Sequence, residues 1–511
     1  MGAGRRVGAE DRVRAGFEDS AGVERGPVGG RKGAGPPQRL LLAVCGGFAL
    51  LSLALVPLSL PLGWDELVYA SRYSPYGPAT PFSAPRTRGV PFLIAPVALW
   101  SDSVVLLRVW LTLLSTAALY LGFRPWLRAA HRPLMAPVAA ALYGGLWITL
   151  FYASAAMPNH YTAMGAVGAV GLFLWSRQSL RTYAGVAAGI ALATLMRPND
   201  GFAIGLPLLL AALLVPAWRG RGRVVAVLGG LAAGALPWAV EAYVRFGGVR
   251  ERLTEASEVQ GDLRPLLSFV HHLTVMDGPL LCRPCDSDGI RPVATEWWLL
   301  LLLLVTAGLW TLRRERAPQS ASEATRPPAT TLTLLTALAI ALPYLLLVPY
   351  AAPRFLLPTH ALLAPTAALG LLTLVGVARA GRHRWVGAGL VGVVLGGHLL
   401  VQVLLAHGNA TIQAGARDDW ARVAEVLERH GVGNGSRPGA RTDAPCTLGG
   451  NTSVIPLAHV AGCAPGGPAD GPGDLSALVL REAAPPHWAR DWPRHAVPGT
   501  YSSGWVVHVR P

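Results

Sequence analysis

Residues 40–66 read LLLAVCGGFALLSLALVPLSLPLGWDE, an apolar run that ends in a tryptophan and two acids. A helix needs roughly 20 apolar residues to cross the hydrocarbon core of a bilayer, and the stretch from Leu40 to Leu62 is long enough. A cleaved signal peptide does not fit, because the segment before the run is too long and no small-residue cleavage site follows it. The run therefore predicts a first membrane span.

Ten further apolar runs follow along the chain. They cover residues 103–123, 134–155, 160–176, 182–197, 201–216, 223–244, 296–312, 330–350, 355–378 and 385–406. Over the whole chain 52% of residues are hydrophobic, 14% are charged and the mean hydropathy is +0.40, which is more apolar than one soluble core requires. The sequence predicts an all-α polytopic membrane protein with about eleven transmembrane helices, and a soluble enzyme does not fit.

The basic residues indicate the topology. A net charge of +15 with a pI near 10.3 can signal nucleic-acid binding, but that requires arginines clustered on one soluble face. Here every second gap between spans is basic. These gaps hold Arg124, Arg128 and Arg132; Arg177 and Arg181; Arg219, Arg221 and Arg223; Arg313, Arg314 and Arg316; and Arg379, Arg382 and Arg384. Because such loops stay cytoplasmic, we expect a multi-pass plasma-membrane protein with its N-terminus inside, its C-terminus outside and no nucleic-acid partner.

This topology divides the chain into three parts. They are a disordered basic cytoplasmic tail (1–39), a transmembrane domain (40–406) with outer loops at 63–89 and 246–295, and an extracytoplasmic C-terminal domain (407–511). In the C-terminal part, Asp418-Asp419 precede apolar positions at helical spacing, and short β-like runs follow at 477–480 and 505–509. A small α/β domain is predicted, with a helix that begins at the two aspartates.

Four of the five cysteines fall in the predicted outer segments. An oxidising compartment favours disulfides, and the most plausible pairs are Cys282 with Cys285 and Cys446 with Cys463. Half of a zinc knuckle is the alternative for Cys282 and Cys285, although no second pair with ligand spacing accompanies them.

Polar side chains collect at one edge of the predicted spans, the extracytoplasmic edge. They are Asp65, Glu66, Asn159, His160, Arg197, Asn199, Asp200, Glu241, Glu296, Arg354 and His360. The middles of the spans carry almost no charge, which argues against an ion path through the membrane and for a site at the outer surface. An acid beside arginines at this depth suits transfer from a lipid phosphate. Arginine holds the phosphate oxygens in a fork, and the carboxylate takes a proton from the incoming hydroxyl.

Four short motifs resemble those of GT-C type glycosyltransferases that use polyprenyl-phosphate-linked sugars, such as protein O-mannosyltransferases and lipid A aminoarabinose transferases. They are Trp64-Asp65-Glu66 after the first span, the run 85–93 followed by Ala95-Pro96, Met196-Arg197-Pro198, and the run 353–358. Each motif is short, but they occur in order and on the same side of the membrane. The resemblance implies a hexosyltransferase, of mannosyltransferase type, that uses a polyprenyl-phosphate-linked sugar donor.

The resemblance also assigns roles to individual residues. Asp65 is expected to be the catalytic base with Glu66 in support. The arginines expected to bind the donor phosphate are Arg354, Arg197, Arg86 and Arg88. The acceptor would be an extracytoplasmic glycan, lipid or protein, and membrane lipid would surround the spans.

The turn at residues 156–160, Ala-Met-Pro-Asn-His, departs from the family pattern, in which many members carry an acid before the proline. Asn159 and His160 are therefore expected to contact a sugar rather than a metal. No metal ligands are predicted and no cofactor is certain, although the use of a divalent metal stays open.

Simpler interpretations of the same residues stay open as well. The acid pair can cap a loop helix, Arg354 can be an interfacial arginine and His160 a packed core histidine. For the whole protein the alternatives are a transporter or lipid flippase, against which the odd span count and uncharged midspans argue, and a non-enzymatic membrane assembly factor. Abundant alanine, glycine, proline and arginine with scarce lysine are typical of a high-GC genome, such as that of an actinobacterium.

Overall fold

The protein was analysed as a computed structural model, which describes residues 35–75, 79–130, 132–175, 178–285, 289–315, 329–380, 383–433, 446–466 and 473–511. A cytoplasmic tail was predicted for residues 1–39, and residues 1–34 of it lie outside the described residues. Arg177, Arg316 and Arg382 of the basic gaps lie outside them too.

Helices dominate the described residues from Pro36 to Arg429. Their bounds are α1 (Pro36–Leu55), α2 (Trp64–Ala70), α3 (Gly89–Ala98), α4 (Val104–Phe123), α5 (Trp126–Ala129), α6 (Met135–Gly144), α7 (Trp147–Tyr152), α8 (Asn159–Phe173), α9 (Leu180–Met196), α10 (Pro198–Leu214), α11 (Arg221–Arg245), α12 (Val249–Val259), α13 (Phe269–Thr274), α14 (Glu296–Glu315), α15 (Ala329–Leu346), a 3-10 turn (Pro353–Leu356), α16 (Leu357–Ala380) and α17 (Arg384–Arg429). Each predicted span coincides with a helix or with two short helices, so the predicted all-α membrane fold is confirmed.

The helices have the composition and surface of a membrane protein. In the described residues, six are long and apolar enough to cross a bilayer, and shorter apolar helices accompany them. Large apolar side chains point away from the protein, for example Leu50 and Val393, which are 71% and 73% exposed. A soluble monomer rarely exposes so much continuous apolar surface, whereas lipid tails cover it at no cost.

Helices α8 and α9 cross at two facing glycines. A Cβ atom on Gly165 would lie 2.5 Å from the carbonyl oxygen of Gly189, and one on Gly189 would lie 2.8 Å from that of Gly165. In lipid, where no hydrophobic effect drives helices together, such small residues let two backbones approach closely enough to pack. A larger side chain at either position would separate the two helices.

The predicted span 134–155 is two helices rather than one. Leu146 takes an extended backbone (ψ 136°), which ends α6 and starts α7. The free backbone N–H of Trp147 donates to the side-chain oxygen of Gln402 on α17 at 2.8 Å. The break is therefore satisfied by a neighbouring helix, as a non-helical backbone within a membrane protein requires.

The prediction that a helix begins at Asp418 is wrong, because α17 runs without interruption from Arg384 to Arg429. Asp419 does not cap a helix. Its carboxylate accepts hydrogen bonds from the backbone N–H groups of Tyr501 and Ser502, at 2.6 and 2.9 Å. One rigid helix consequently connects the apolar bundle to the C-terminal domain.

The C-terminal domain is a five-stranded sheet packed on the end of α17 and on α18 (Val454–Ala461). Its strands are β1 (Thr447–Gly450), β2 (Ala464–Pro465), β3 (Ala477–Arg481), β4 (Arg494–Ala496) and β5 (Trp505–Val509), in the order β2-β1-β3-β5-β4. The β1 strand is parallel to β2 and β3, and β5 is antiparallel to β3 and β4. The predicted small α/β domain is confirmed, and a Cys446–Cys463 disulfide closes it.

Candidate functional site

Helix α2, which carries both acids, is short, and the Glu66 side chain folds back on its N-cap residue, Gly63. The Glu66 carboxylate accepts from the backbone N–H of Gly63 at 2.8 Å, which occupies one of the N–H groups that a helix leaves without a partner at its start. Consecutive helical residues point about 100° apart. Asp65 and Glu66 therefore face different surroundings.

Asp65 lies between two arginines that are distant in the sequence. Its Oδ1 accepts from Arg86 at 2.7 Å and its Oδ2 from Arg354 at 3.2 Å. The Asp65 side chain is 33% exposed, so its two ion pairs are partly accessible from outside the protein. We call Asp65, Arg86 and Arg354 the Asp65 cluster.

Arg354 is fixed from several sides. Its guanidinium donates to the carbonyl oxygen of Leu280 at 2.8 Å and to the Tyr152 hydroxyl at 3.3 Å. The loop before α14 is tied to this place, since the N–H of Cys282 donates to the carbonyl oxygen of Ala351 at 3.0 Å. Within that loop Cys282 is disulfide-bonded to Cys285. The loop thus holds Arg354 at the open side of the cluster.

The charges around Asp65 keep it ionised. Burial raises the pKa of Asp65, but the guanidinium groups of Arg86 and Arg354 outweigh burial and bring the pKa below its ordinary value. A carboxylate held this way is a weak base as long as both arginines stay in place.

Glu66 lies in a closed pocket, with its side chain 5% exposed. Arg108 of α4 donates to it at 2.6 and 3.1 Å, Arg417 of α17 at 3.2 Å, and the backbone N–H of Ala156 at 2.9 Å. Burial raises the pKa of Glu66, and the charges of Arg108 and Arg417 reverse this and lower it to about 2. We call Glu66, Arg108 and Arg417 the Glu66 cluster.

A third carboxylate, Glu241 near the end of α11, collects three other arginines. Arg88 donates to its Oε1 from Nε at 3.0 Å, Arg245 donates to the same oxygen at 2.9 Å, and Arg252 donates to Oε2 at 3.1 Å. Arg252 is fully buried and also donates to the carbonyl oxygen of Arg86 at 2.8 Å. Arg88, predicted to bind the donor phosphate, thus pairs with Glu241, while Arg252 fixes the backbone that carries Arg86.

Two solved structures share the arrangement of most of the chain. ArnT from Cupriavidus metallidurans, in a structure bound to undecaprenyl phosphate, superposes with a TM-score of 0.59 over 92% of this chain and 97% of its own, at 15% identity. An oligosaccharyltransferase from Archaeoglobus fulgidus gives a TM-score of 0.50 over 86% of this chain and 69% of its own, also at 15% identity. This chain has the GT-C fold. No protein-family model matches the sequence, and no curated protein matches it.

Within the GT-C fold, Arg197 adjoins the Asp65 cluster through an aromatic ring. Its Nε is 3.2 Å from Asp200 Oδ2, and its guanidinium lies over the ring of Phe355 at 5.2 Å. Arg354 lies over the same ring at 5.4 Å. The two arginines therefore share one aromatic neighbour, and only Arg354 bonds Asp65.

Asn159 and His160 lie deep in the helix packing of the GT-C domain. His160 Nδ1 accepts from the Tyr143 hydroxyl at 3.2 Å and Nε2 donates to the carbonyl oxygen of Ser115 at 3.0 Å, with the Phe48 ring stacked at 5.9 Å. The Asn159 amide is buried and makes no hydrogen bond to the described residues. Their proposed contact with a sugar stays a prediction.

The described residues do not bring three His, Cys, Asp or Glu side chains together where a metal ion could bind. The turn at 156–160 has no carboxylate, and both Asp65 oxygens are occupied by arginines. In this arrangement the described residues do not present the donor set of a divalent-metal site.

Sequence reasoning missed four arginines that bond Glu66 or Glu241, namely Arg108, Arg245, Arg252 and Arg417. Arg108 is 1% exposed inside a predicted span, and an ionisable residue within a span was itself a signal of a buried partner. Arg252 and Arg417 lie in segments that look like ordinary polar helix faces. Nothing in the sequence around them indicates that they reach the acids of the first loop.

Proposed function

We propose that this protein is a membrane glycosyltransferase that moves a sugar from a polyprenyl-phosphate carrier to an acceptor on the extracytoplasmic side. The observation that carries the proposal is the Asp65 cluster, a partly exposed carboxylate between two arginines in a GT-C fold. The same residues can hold a phosphate and accept a proton, which are the two tasks of this reaction.

The two arginines of the cluster can exchange one anion for another. A donor phosphate offers Arg86 and Arg354 the forked hydrogen bonds that they now give to Asp65. When these bonds pass to the phosphate, Asp65 loses the charges that depress its pKa and becomes a stronger base. Donor binding would therefore prepare the base for the acceptor hydroxyl.

The step itself is a displacement at the anomeric carbon of the sugar. The acceptor oxygen forms a bond to that carbon, the bond from the carbon to the phosphate oxygen breaks, and the hydroxyl proton passes to Asp65. Polyprenyl phosphate leaves with both electrons of the broken bond. Arg354 and Arg86 stabilise the negative charge that grows on the leaving oxygen.

The finer features of the proposal follow the sequence and the neighbours. The proposed sugar is a hexose of the mannose type, and the proposed acceptor is a glycan, a lipid or a protein. The proposed location is the plasma membrane, with the N-terminus in the cytoplasm. Undecaprenyl phosphate in the ArnT structure, and dolichol phosphate with an inhibitory peptide in an Archaeoglobus fulgidus oligosaccharyltransferase structure, support a lipid-linked donor. The basic gaps support the orientation.

The test is transfer of radiolabelled sugar from polyprenyl-phosphate donors by membranes that contain the wild type, Asp65→Asn or Asp102→Asn. Asp102 is an exposed acid just before α4, outside the three clusters, and is the matched control. We expect consumption of at least one donor by the wild type and by Asp102→Asn, and its loss in Asp65→Asn. Full consumption by Asp65→Asn would remove Asp65 from the mechanism. Failure of the wild type with every donor would overturn the proposed function.

A further inference from the structure

Beside the Asp65 cluster, three arginines from separate parts of the chain meet at one aromatic ring. The guanidinium carbons of Arg72, Arg88 and Arg245 lie 5.4, 4.6 and 6.0 Å from the centre of the Phe82 ring. Arg72 follows α2, Arg88 precedes α3 and Arg245 ends α11. We call Arg72, Arg88, Arg245 and Phe82 the Phe82 cluster.

The positive charge of the Phe82 cluster exceeds the negative charge near it. Glu241 pairs with Arg88 and Arg245 and also with Arg252, so one carboxylate is shared among three guanidinium groups. Arg72 lies within the field of Glu241 but forms no ion pair with it or with another described carboxylate. Two of its nitrogens, Nε and one Nη, are buried without a hydrogen-bond partner among the described residues.

Such a charge is costly, because a buried ionic hydrogen-bond donor loses its water and gains nothing in return. Contact with the Phe82 ring gives Arg72 attraction but no countercharge. Burial and repulsion from Arg88 and Arg245 lower the pKa of Arg72 to about 10, and Arg72 stays charged at neutral pH. An anion with several oxygens would supply the missing partner.

The surroundings of the cluster are those of a membrane interface. Phe92 is 46% exposed and is stacked on Tyr73, the residue after Arg72. Exposed aromatic side chains of this kind lie at headgroup depth. An anion that reaches Arg72 from this side can carry an apolar chain.

We propose that the Phe82 cluster is a second anion site, which binds a phosphoryl or phosphodiester group of the acceptor next to the donor site. A phosphate group, which has several oxygens, can accept hydrogen bonds from three guanidinium groups more fully than one carboxylate can. Arg252 connects the two sites, because it donates to Glu241 and to the carbonyl oxygen of Arg86. The assignment to the acceptor rests on the proposed function; the anion site itself does not.

The site is tested by binding to the full-length protein in a neutral detergent, with no sugar donor present. The probes are short-chain phosphatidylglycerol, diacylglycerol with the same chains and inorganic phosphate, and binding is measured by native mass spectrometry or calorimetry. We expect the wild type to bind phosphatidylglycerol at least about tenfold more tightly than diacylglycerol, as a charge-assisted hydrogen bond requires. Competition by inorganic phosphate would show that the phosphate alone is recognised, and its failure that a lipid-borne phosphate is needed.

The variants are Arg72→Gln, Arg72→Lys and Arg291→Gln. Arg291 is an outer-loop arginine, 80% exposed and paired with Asp277, and serves as the matched control. Arg72→Gln should lose the preference for phosphate, Arg72→Lys should recover part of it, and Arg291→Gln should bind like the wild type. Unchanged phosphate preference in Arg72→Gln, or equal binding of both amphiphiles by the wild type, would overturn the proposal.

The design separates this site from the proposed function. If Arg72→Gln fails to fold in a thermal unfolding assay, Arg245→Gln takes its place with the same expected loss. Anion binding without sugar transfer would leave the site standing and refute the glycosyltransferase proposal. Sugar transfer by a protein that shows no preference for the phosphate-bearing lipid would refute the anion site and leave the glycosyltransferase proposal standing.

Discussion

Two adjacent carboxylates on helix α2 occupy very different surroundings. The Asp65 side chain is 33% exposed and bonds two arginines, whereas Glu66 is 5% exposed and bonds two arginines and two backbone N–H groups. A fully satisfied buried ion pair holds structure together, since removal of one partner strands the other charge. A partly exposed pair can exchange partners at small cost. The difference shows that the acid motif places an open ion pair and a closed one in a single helical turn.

The largest effect is expected for Asp65→Asn. Loss of the proposed general base should lower sugar transfer by roughly 100- to 10,000-fold, because an amide cannot take the proton of the acceptor hydroxyl. The midpoint of thermal unfolding should change little, since Asp65 is partly exposed. Transfer assays and unfolding curves on the same preparation check the activity and the midpoint. A large drop in the midpoint would contradict the contrast between Asp65 and Glu66.

Glu66→Gln should show the opposite pattern. Arg108, buried at 1% exposure, would lose its countercharge, and we expect a loss of about 3–5 kcal/mol in the free energy of unfolding. Denaturation in detergent measures this loss. Residual folded protein should keep Asp65 in place and retain transfer, so an inactive but stable variant would contradict the structural role of Glu66.

Arg417→Gln sharpens the comparison, because Arg417 reaches the Glu66 cluster from α17. Arg108 still compensates Glu66 in this variant, so the expected loss of stability is smaller, about 1–3 kcal/mol. Arg417 also donates to the carbonyl oxygen of Pro61 at 2.6 Å, which connects α17 to the segment before α2. Proteolysis of this segment should be faster in the variant, and Arg429→Gln, on the exposed end of α17, is the control.

A pH dependence also belongs to Glu66. Its pKa is about 2 in the folded protein and about 4.3 in an unfolded chain, so the unfolded state binds the proton first as pH falls. The stability that Glu66 contributes is complete above the unfolded pKa and is lost as pH falls toward about 2. Unfolding midpoints of the wild type and Glu66→Gln should converge over this range and stay apart at neutral pH. A constant difference down to low pH would show that another group titrates.

The sequence predicted the helices better than their ends. Apolar runs located each span because lipid solvates every residue of a span independently of the others. The continuity of α17 was missed, since the polar residues between position 406 and Asp418 look like a loop when only the sequence is known. The break between α6 and α7 was missed because Gln402, which satisfies it, lies far along the chain.

The candidate site was predicted in part. Asp65, Arg86 and Arg354 were all named from the sequence, and the structure brings them together. Arg88 was grouped with them and instead joins Glu241, although it is two residues from Arg86. Side chains that are close in sequence diverge here because the turn before α3 points Arg86 and Arg88 to different neighbours.

The sequence by itself determined that this chain is a membrane protein, where its spans lie and which short motifs carry its acids, because hydropathy is a local property that adds up along the chain. Only the tertiary structure decided which acid is open and which is closed. Asp65 meets Arg354 across 289 positions and Glu66 meets Arg417 across 351. Contacts over such separations depend on how the helices pack, and packing depends on the shapes of all of them together.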